Sequence, residues 1–128
     1  MTDSPCPLCA RLALPDLTAA NELAVAFKDA FPVNPGHTLI VPRRHVAGLF
    51  ELDPDELAAV WELLPEVKAR LDARHSPAGY NVGGNVGEAA GQTVGHAHVH
   101  LIPRYAGDVE DPRGGVRWVV PERAKYWK

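Results

Sequence analysis

The stretch "GQTVGHAHVHLIPRY" (Gly91–Tyr105) sets three of the chain's six histidines, His96, His98 and His100, at alternate positions. Ala97, Val99 and Leu101 fill the places between and after them. In an extended chain residues two apart share a face, roughly 6–7 Å from one another. The stretch therefore predicts a β-strand ending at Pro103, with a row of imidazoles on one face and a row of apolar side chains on the other. The apolar row belongs to a core, and the imidazole row asks for an explanation.

The neighbouring segments supply the rest of the fold. "GYNVGGNVG" (Gly79–Gly87) reads as a strand with loose, Gly-rich ends, and "EAAG" (Glu88–Gly91) as the loop that follows. "LDPDELAAVWELLPEVKARLDARH" (Leu52–His75) is the main helix. Asp53 is its N-cap, Pro54 suits the first helical position and Glu56 completes a capping box. Leu57, Val60, Trp61, Leu64 and Leu71 fall at helical spacing and are expected to face the core. Pro65 inside this pattern predicts a kink or a split. Upstream, "ELAVAFKDA" (Glu22–Ala30) and "HTLIVP" (His37–Pro42) flank the turn-rich "FPVNPGH" and read as two antiparallel strands. The order β-β-α-β-β predicts an α+β fold on an antiparallel sheet.

A chain of 128 residues, 46% hydrophobic, matches one folded domain with a real core. Residues 1–14 form a knuckle, about 20–105 the motif core, and about 106–128 a tail with turn signals ("EDPRGG") and a short "VRWVV" segment. The net charge is -3, and Lys and Arg form no run longer than Arg43-Arg44, which argues against a nucleic-acid partner. The N-terminus "MTDSPCPLC" has no basic n-region or apolar h-region, and no apolar run approaches membrane-spanning length. The expected location is the cytoplasm. Two cysteines, Cys6 and Cys9, are too few for a disulfide framework; C-x-x-C is half a metal site or a redox pair.

Three tasks suit the imidazole row. It can be a solvated polar face. It can contribute to a zinc site, although the ends of the row lie about 13 Å apart on a strand, too far for all three to bind one ion. It can do nucleophilic chemistry: an imidazole with an ordinary pKa near 6.5 is mostly neutral at pH 7 and attacks phosphorus through its free lone pair without a separate base. Neighbouring imidazoles and amides then hold the phosphoryl oxygens as charge shifts.

The motif "GQTVGHAHVHLIPR", with "FKDAFPVNPGHTLIVPRRH" (Phe27–His45) and "GYNVGGNVG" upstream, resembles the signature of the histidine-triad (HIT) superfamily of nucleotide hydrolases and transferases, over roughly Cys6–Tyr105. The resemblance implies a HIT-like sheet of about five strands with one main helix and a shorter one, extended across a two-fold homodimer. It assigns His98 as nucleophile, His100, Gln92 and Thr93 to the phosphate, Asp29 to the ribose hydroxyls, and Asn85 to a place near the α-phosphate. His37 packs behind the nucleophile. It also offers His45 and His96 to join Cys6 and Cys9 around a structural zinc, as in bacterial members with an N-terminal C-x-x-C. The implied activity is hydrolysis of adenosine 5'-phosphate derivatives through a nucleotidyl-histidine, with Mg²⁺ accompanying a polyphosphate substrate. "HLIPRYAGD" (His100–Asp108) looks more like the dinucleoside-polyphosphate branch. Adenosine phosphoramidase, nucleotidyltransferase and non-catalytic nucleotide-binding module are the alternatives. Arg104, Arg113 and Arg117 are candidates for distal phosphates or simple surface residues, the tail for a second-nucleotide pocket or a dimer surface, and His75 for an exposed polar residue.

Overall fold

The computed structural model describes residues 6–128; the part of the expected knuckle before Cys6 lies outside the described residues. A short helix α1 (Pro7–Leu12) is followed by strands β1 (Ala19–Ala20), β2 (Ala24–Lys28) and β3 (Thr38–Pro42). The long helix α2 (Pro54–His75) then leads to β4 (Gly79–Gly83) and β5 (Val99–Arg104). The five strands form one antiparallel sheet in the order β1-β2-β3-β5-β4. No described helix is long and apolar enough to cross a membrane.

Both faces of the sheet centre are covered, which explains the unbroken apolar run in β2. Ala24 and Ala26 point to α2, where they meet Ile40, Val99 and Leu101 and the helix residues Val60, Leu63, Val67 and Leu71. Val25 and Phe27 point the other way and pack with Leu39, Val41 and Leu8 of α1. β5 alternates as expected: Val99, Leu101 and Pro103 are buried on the α2 side, while His100, Ile102 and Arg104 face away.

The α2 N-terminus is built as its sequence predicts. A capping box joins Asp53 and Glu56, and the Asp53 N–H donates to Glu56 Oε1 at 2.8 Å. The helix closes on Ser76 in the left-handed conformation, φ 49°. One alternative is decided and two expectations are corrected. The helix is not split at Pro65, because the carbonyl that Pro65 leaves without an N–H partner, that of Trp61, lies on the solvent side. Leu57 and Trp61 are exposed, at 37% and 43%: the helix carries more apolar residues than one sheet face can cover, and the buried stripe turns towards Ala59 and Leu63. His75 is half-buried rather than exposed, packed close to Gly36, where an added Cβ would lie 3.1 Å from its ring. The tail, left unassigned from its sequence, forms 3₁₀ turns at Gly115–Val119 and Pro121–Arg123.

Candidate functional site

The strand pairing of β5 starts only at Val99, so His96 and His98 precede the ladder and only His100 lies within it. That departure matters, because it lets the three rings take different surroundings. His98 and His100 line a cavity of about 430 Å³ on the face opposite α2, and their ring centroids are 5.1 Å apart. Asp29, His37, Asn85, Gln92 and Thr93 line the same cavity, so the residues that the resemblance assigned to the nucleophile, ribose and α-phosphate are gathered there. His96 is fully buried and is not part of that lining.

Backbone atoms fix the tautomers. His98 Nδ1 lies 2.8 Å from the carbonyl oxygen of His96, so Nδ1 carries the proton and donates, leaving the Nε2 lone pair free. Val33 N–H donates to His37 Nδ1 at 3.0 Å, which puts the His37 proton on Nε2. That Nε2 lies 2.9 Å from His100 Nδ1, so His37 donates to His100, whose own proton then sits on Nε2. Asp29 Oδ2 stands 3.4 Å from His37 Nε2 and 3.9 Å from His100 Nδ1, while Asp29 Oδ1 accepts the Phe31 N–H at 2.9 Å. Burial pushes His37 below its ordinary pKa against the opposing pull of Asp29. His100 is pushed down to about 4, chiefly by burial and further by His98 and His37. Both rings are neutral at neutral pH.

A second cluster lies beside the cavity. Cys6 Sγ caps α1, accepting the Cys9 N–H at 3.4 Å. Cys9 Sγ is 3.2 Å from His45 Nδ1 and 3.4 Å from His96 Nδ1, and Cys6 Sγ is 3.6 Å from His96 Nδ1. All four ligand atoms lie within 4.8 Å of one another. Edges near 3.5 Å are roughly what a tetrahedron with bonds of about 2.0–2.3 Å requires. His96 Nε2–H donates to the Pro42 carbonyl at 2.9 Å, turning its bare Nδ1 towards the thiols. The donor set thus fits a metal ion with four protein ligands. Asp29, His37 and His100 are also close enough to hold an ion. There the Val33 N–H keeps a proton on the His37 nitrogen that would have to coordinate, so this cluster is a hydrogen-bonded chain in which His37 donates to His100.

Other residues have less open roles. The Gln92 side chain accepts from Gly87 N–H at 2.9 Å and donates to the carbonyls of Ala47 and Val94, so its amide braces the loop before the triad. Arg104 is held by Asp108 at 2.7 and 2.8 Å and by Asn81. Arg113 pairs with Asp111, and Arg117 donates to the Ala124 carbonyl at 2.7 Å. None of the three stands in the His98 cavity. Arg11, Phe27 and Phe31 do, although the sequence reading left them out. Arg11 sits 4.7 Å over the Phe27 ring. Its one signal was its place two residues after Cys9, on the helix the cysteines anchor.

Comparison with known proteins agrees with this arrangement. The HIT domain family profile matches residues 15–107. An uncharacterized HIT-like protein of Mycoplasma genitalium is 44% identical over 85 residues, which cover 66% of this chain and 60% of the relative. The bis(5'-nucleosyl)-tetraphosphatase (asymmetrical) of Schizosaccharomyces pombe is 38% identical over 91 residues, 71% of this chain and 50% of that protein. The match thus spans between half and three fifths of the length of these curated relatives. The crystal structure of a Zn-bound histidine triad family protein from Mycobacterium smegmatis superposes with a TM-score of 0.73 at 30% identity, covering 83% of this chain and 79% of that one. With its five-stranded sheet, its alternating histidines and the matched profile, the chain belongs to the HIT family.

Proposed function

We propose that this protein is a nucleotide hydrolase that cleaves the α-phosphate linkage of adenosine 5'-phosphate derivatives, dinucleoside polyphosphates foremost, with His98 as nucleophile. One observation carries the reading: the His98 ring is pinned through Nδ1 to the His96 carbonyl at 2.8 Å, so a free Nε2 lone pair is held in a cavity that also contains His100 and Asp29. Nε2 attacks the α-phosphorus, the bond from phosphorus to the bridging oxygen breaks, and its electron pair leaves with the departing nucleoside phosphate. Water then attacks the phosphorus, the phosphorus–nitrogen bond breaks, its electron pair returns to Nε2, and AMP and a proton are released. His100 Nε2–H supplies a hydrogen bond where negative charge gathers on the phosphoryl oxygens. Asp29, Asn85 and Thr93 orient the ribose and phosphate, and Gln92 contributes by holding its loop in place.

Cys6, Cys9, His45 and His96 are assigned to a structural zinc, which fastens α1 to the residue preceding the catalytic strand. The fully liganded set leaves the ion no part in the chemistry. Mg²⁺ enters only as the companion of a polyphosphate substrate. Among the described residues β4 is an edge strand of the sheet, and a two-fold homodimer that continues the sheet there is the proposed assembly in the cytoplasm. Adenosine phosphoramidate is the second reading, favoured by one observation: Arg104, Arg113 and Arg117 are bonded within the chain and not free to meet distal phosphates. Mass spectrometry after a rapid quench with diadenosine tetraphosphate tests the mechanism. An AMP adduct on the peptide carrying His98 is expected, absent in His98→Ala. Turnover without an adduct on any histidine would overturn it.

A further inference from the structure

A second cavity, of about 680 Å³, opens beyond His100 on the same face of the sheet. Its floor is the cross-strand pair Ile102 and Asn81, and its far wall is Val116 and Trp118 of the tail. Val33 borders both cavities. The tail wall lies beyond residues 15–107, the part matched by the family profile. It is firmly built. Gly114 and Gly115 adopt φ of 95° and 47°, which lets the turn press against β4, where a Cβ on Gly115 would stand 3.3 Å from Asn81 Nδ2. Asn34 Nδ2 donates to Asp108 Oδ2 at 2.8 Å, and Trp118 Nε1 donates to the Arg113 carbonyl at 2.8 Å.

The charges in this cavity are already matched. Arg104 is held by Asp108, and Asp111 by Arg113. What remains for a ligand is apolar surface, the Trp118 side chain and the Asn81 amide nitrogen. Such a lining suits an uncharged planar ring and gives a phosphate nothing to bind. Ile102 lies four residues along from His98, about 13 Å at the rise of an extended chain. An amine bonded directly to the α-phosphorus stops well short of that point, whereas a polyphosphate bridge covers the gap.

We infer that the tail cavity binds the leaving nucleoside of a dinucleoside polyphosphate, with its base against Trp118 and Val116. The bridging phosphates cross the open sheet past His100 and Val33. This rests on His98 as nucleophile, and it selects dinucleoside polyphosphates over phosphoramidates.

The test compares kcat/KM for diadenosine tetraphosphate with that for adenosine 5'-phosphoramidate in the full chain. In Trp118→Ala the ratio of the two is expected to fall about tenfold or more, the usual loss of one base–aromatic stack, and to recover in Trp118→Phe. Val116→Asp, at a residue 64% exposed, is expected to lower the same ratio without touching the tail's hydrogen bonds. In a His98→Ala background, calorimetry is expected to show the affinity gap between diadenosine tetraphosphate and AMP narrowing when Trp118 is also replaced by Ala. An unchanged ratio and an unchanged gap would overturn the cavity assignment alone, as would a wild type that cleaves the phosphoramidate but not the tetraphosphate. A wild type that cleaves neither compound would overturn the hydrolase reading itself.

Discussion

Two clusters in this molecule each hold a pair of imidazoles, and the histidines alone do not tell them apart. One is His45 and His96 with Cys6 and Cys9; the other is His37 and His100 with Asp29. The difference lies behind the rings. His96 meets a backbone carbonyl, that of Pro42, so its proton points outward and a bare nitrogen points into the cluster. His37 meets a backbone donor, the Val33 N–H, so its proton points inward and is donated as a hydrogen bond to His100. The atom behind a histidine decides whether the ring faces its neighbours as a ligand or as a donor. His98 follows the His96 rule, with a carbonyl behind Nδ1, but its bare nitrogen belongs to the cavity.

The comparison breaks most visibly under paired substitution. His100→Ala removes the donor proposed to meet the phosphoryl oxygens and is expected to lower kcat by about 10²–10³-fold, the usual effect of losing one such donor. Its melting temperature is expected to change little. Cys9→Ala is expected to do the reverse: the proposed metal is not retained, Tm falls by many degrees, and turnover persists below the new transition. Metal content per chain, Tm and kcat measured on both variants check this. Equal losses of Tm in the two proteins would dissolve the distinction between the clusters.

Much of the fold was legible from residue spacing, whereas the division between the two clusters was implied only by the resemblance to the HIT family. The alternation across Ala97–Leu101 fixed which side of β5 enters the core, since its apolar row is buried wherever the strand runs. The Asp53–Glu56 capping box marked the start of α2 to the residue, because it is a local arrangement. What the sequence hid was set by distant partners. Leu57 and Trp61 are exposed because the width of the sheet, not the helix, decides how much of the apolar stripe is covered. Arg104 looked available for phosphates because nothing in "PRYAGD" reveals that the turn folds Asp108 back onto it. The tautomers were equally out of reach. Pro42 and Val33 act through backbone atoms, which every residue owns, so no side-chain motif records them.

A smaller effect sharpens the His37 and His100 half of the comparison. His37 touches no phosphate in the proposed chemistry; it positions His100 by donating to Nδ1 at 2.9 Å. His37→Ala leaves His100 free to carry its proton on either nitrogen. About a tenfold fall in kcat is expected, with KM for the nucleotide little changed. His37→Gln, which restores an N–H donor, is expected to recover part of the loss. A rise in KM with kcat intact would mean that His37 shapes the binding site instead of orienting its neighbour.

The smallest effect is on stability, and its sign follows from burial. The His100 pKa is pushed down from an ordinary 6.5 to about 4, first by burial and then by His98 and His37, with Asp29 opposing. Above pH 6.5 the ring is neutral whether folded or not and contributes no pH dependence. As pH falls below that value the unfolded chain takes up a proton that the folded chain refuses, so stability declines, and the decline is complete once pH has passed about 4. His37, lowered by burial, adds in the same direction. Glu56, held at about 2 by Arg44 and the Asp53 N–H, stays ionised in the fold throughout this window. The proposed metal site would also weaken in acid, because protons compete with the ion for its cysteine ligands. The two clusters are separated by subtraction. Between pH 7 and 5, Tm of the wild type is expected to drop by more than Tm of His100→Asn, while Cys9→Ala is expected to keep the His100 part of the slope. Parallel curves for wild type and His100→Asn would show that the buried ring is not what refuses the proton.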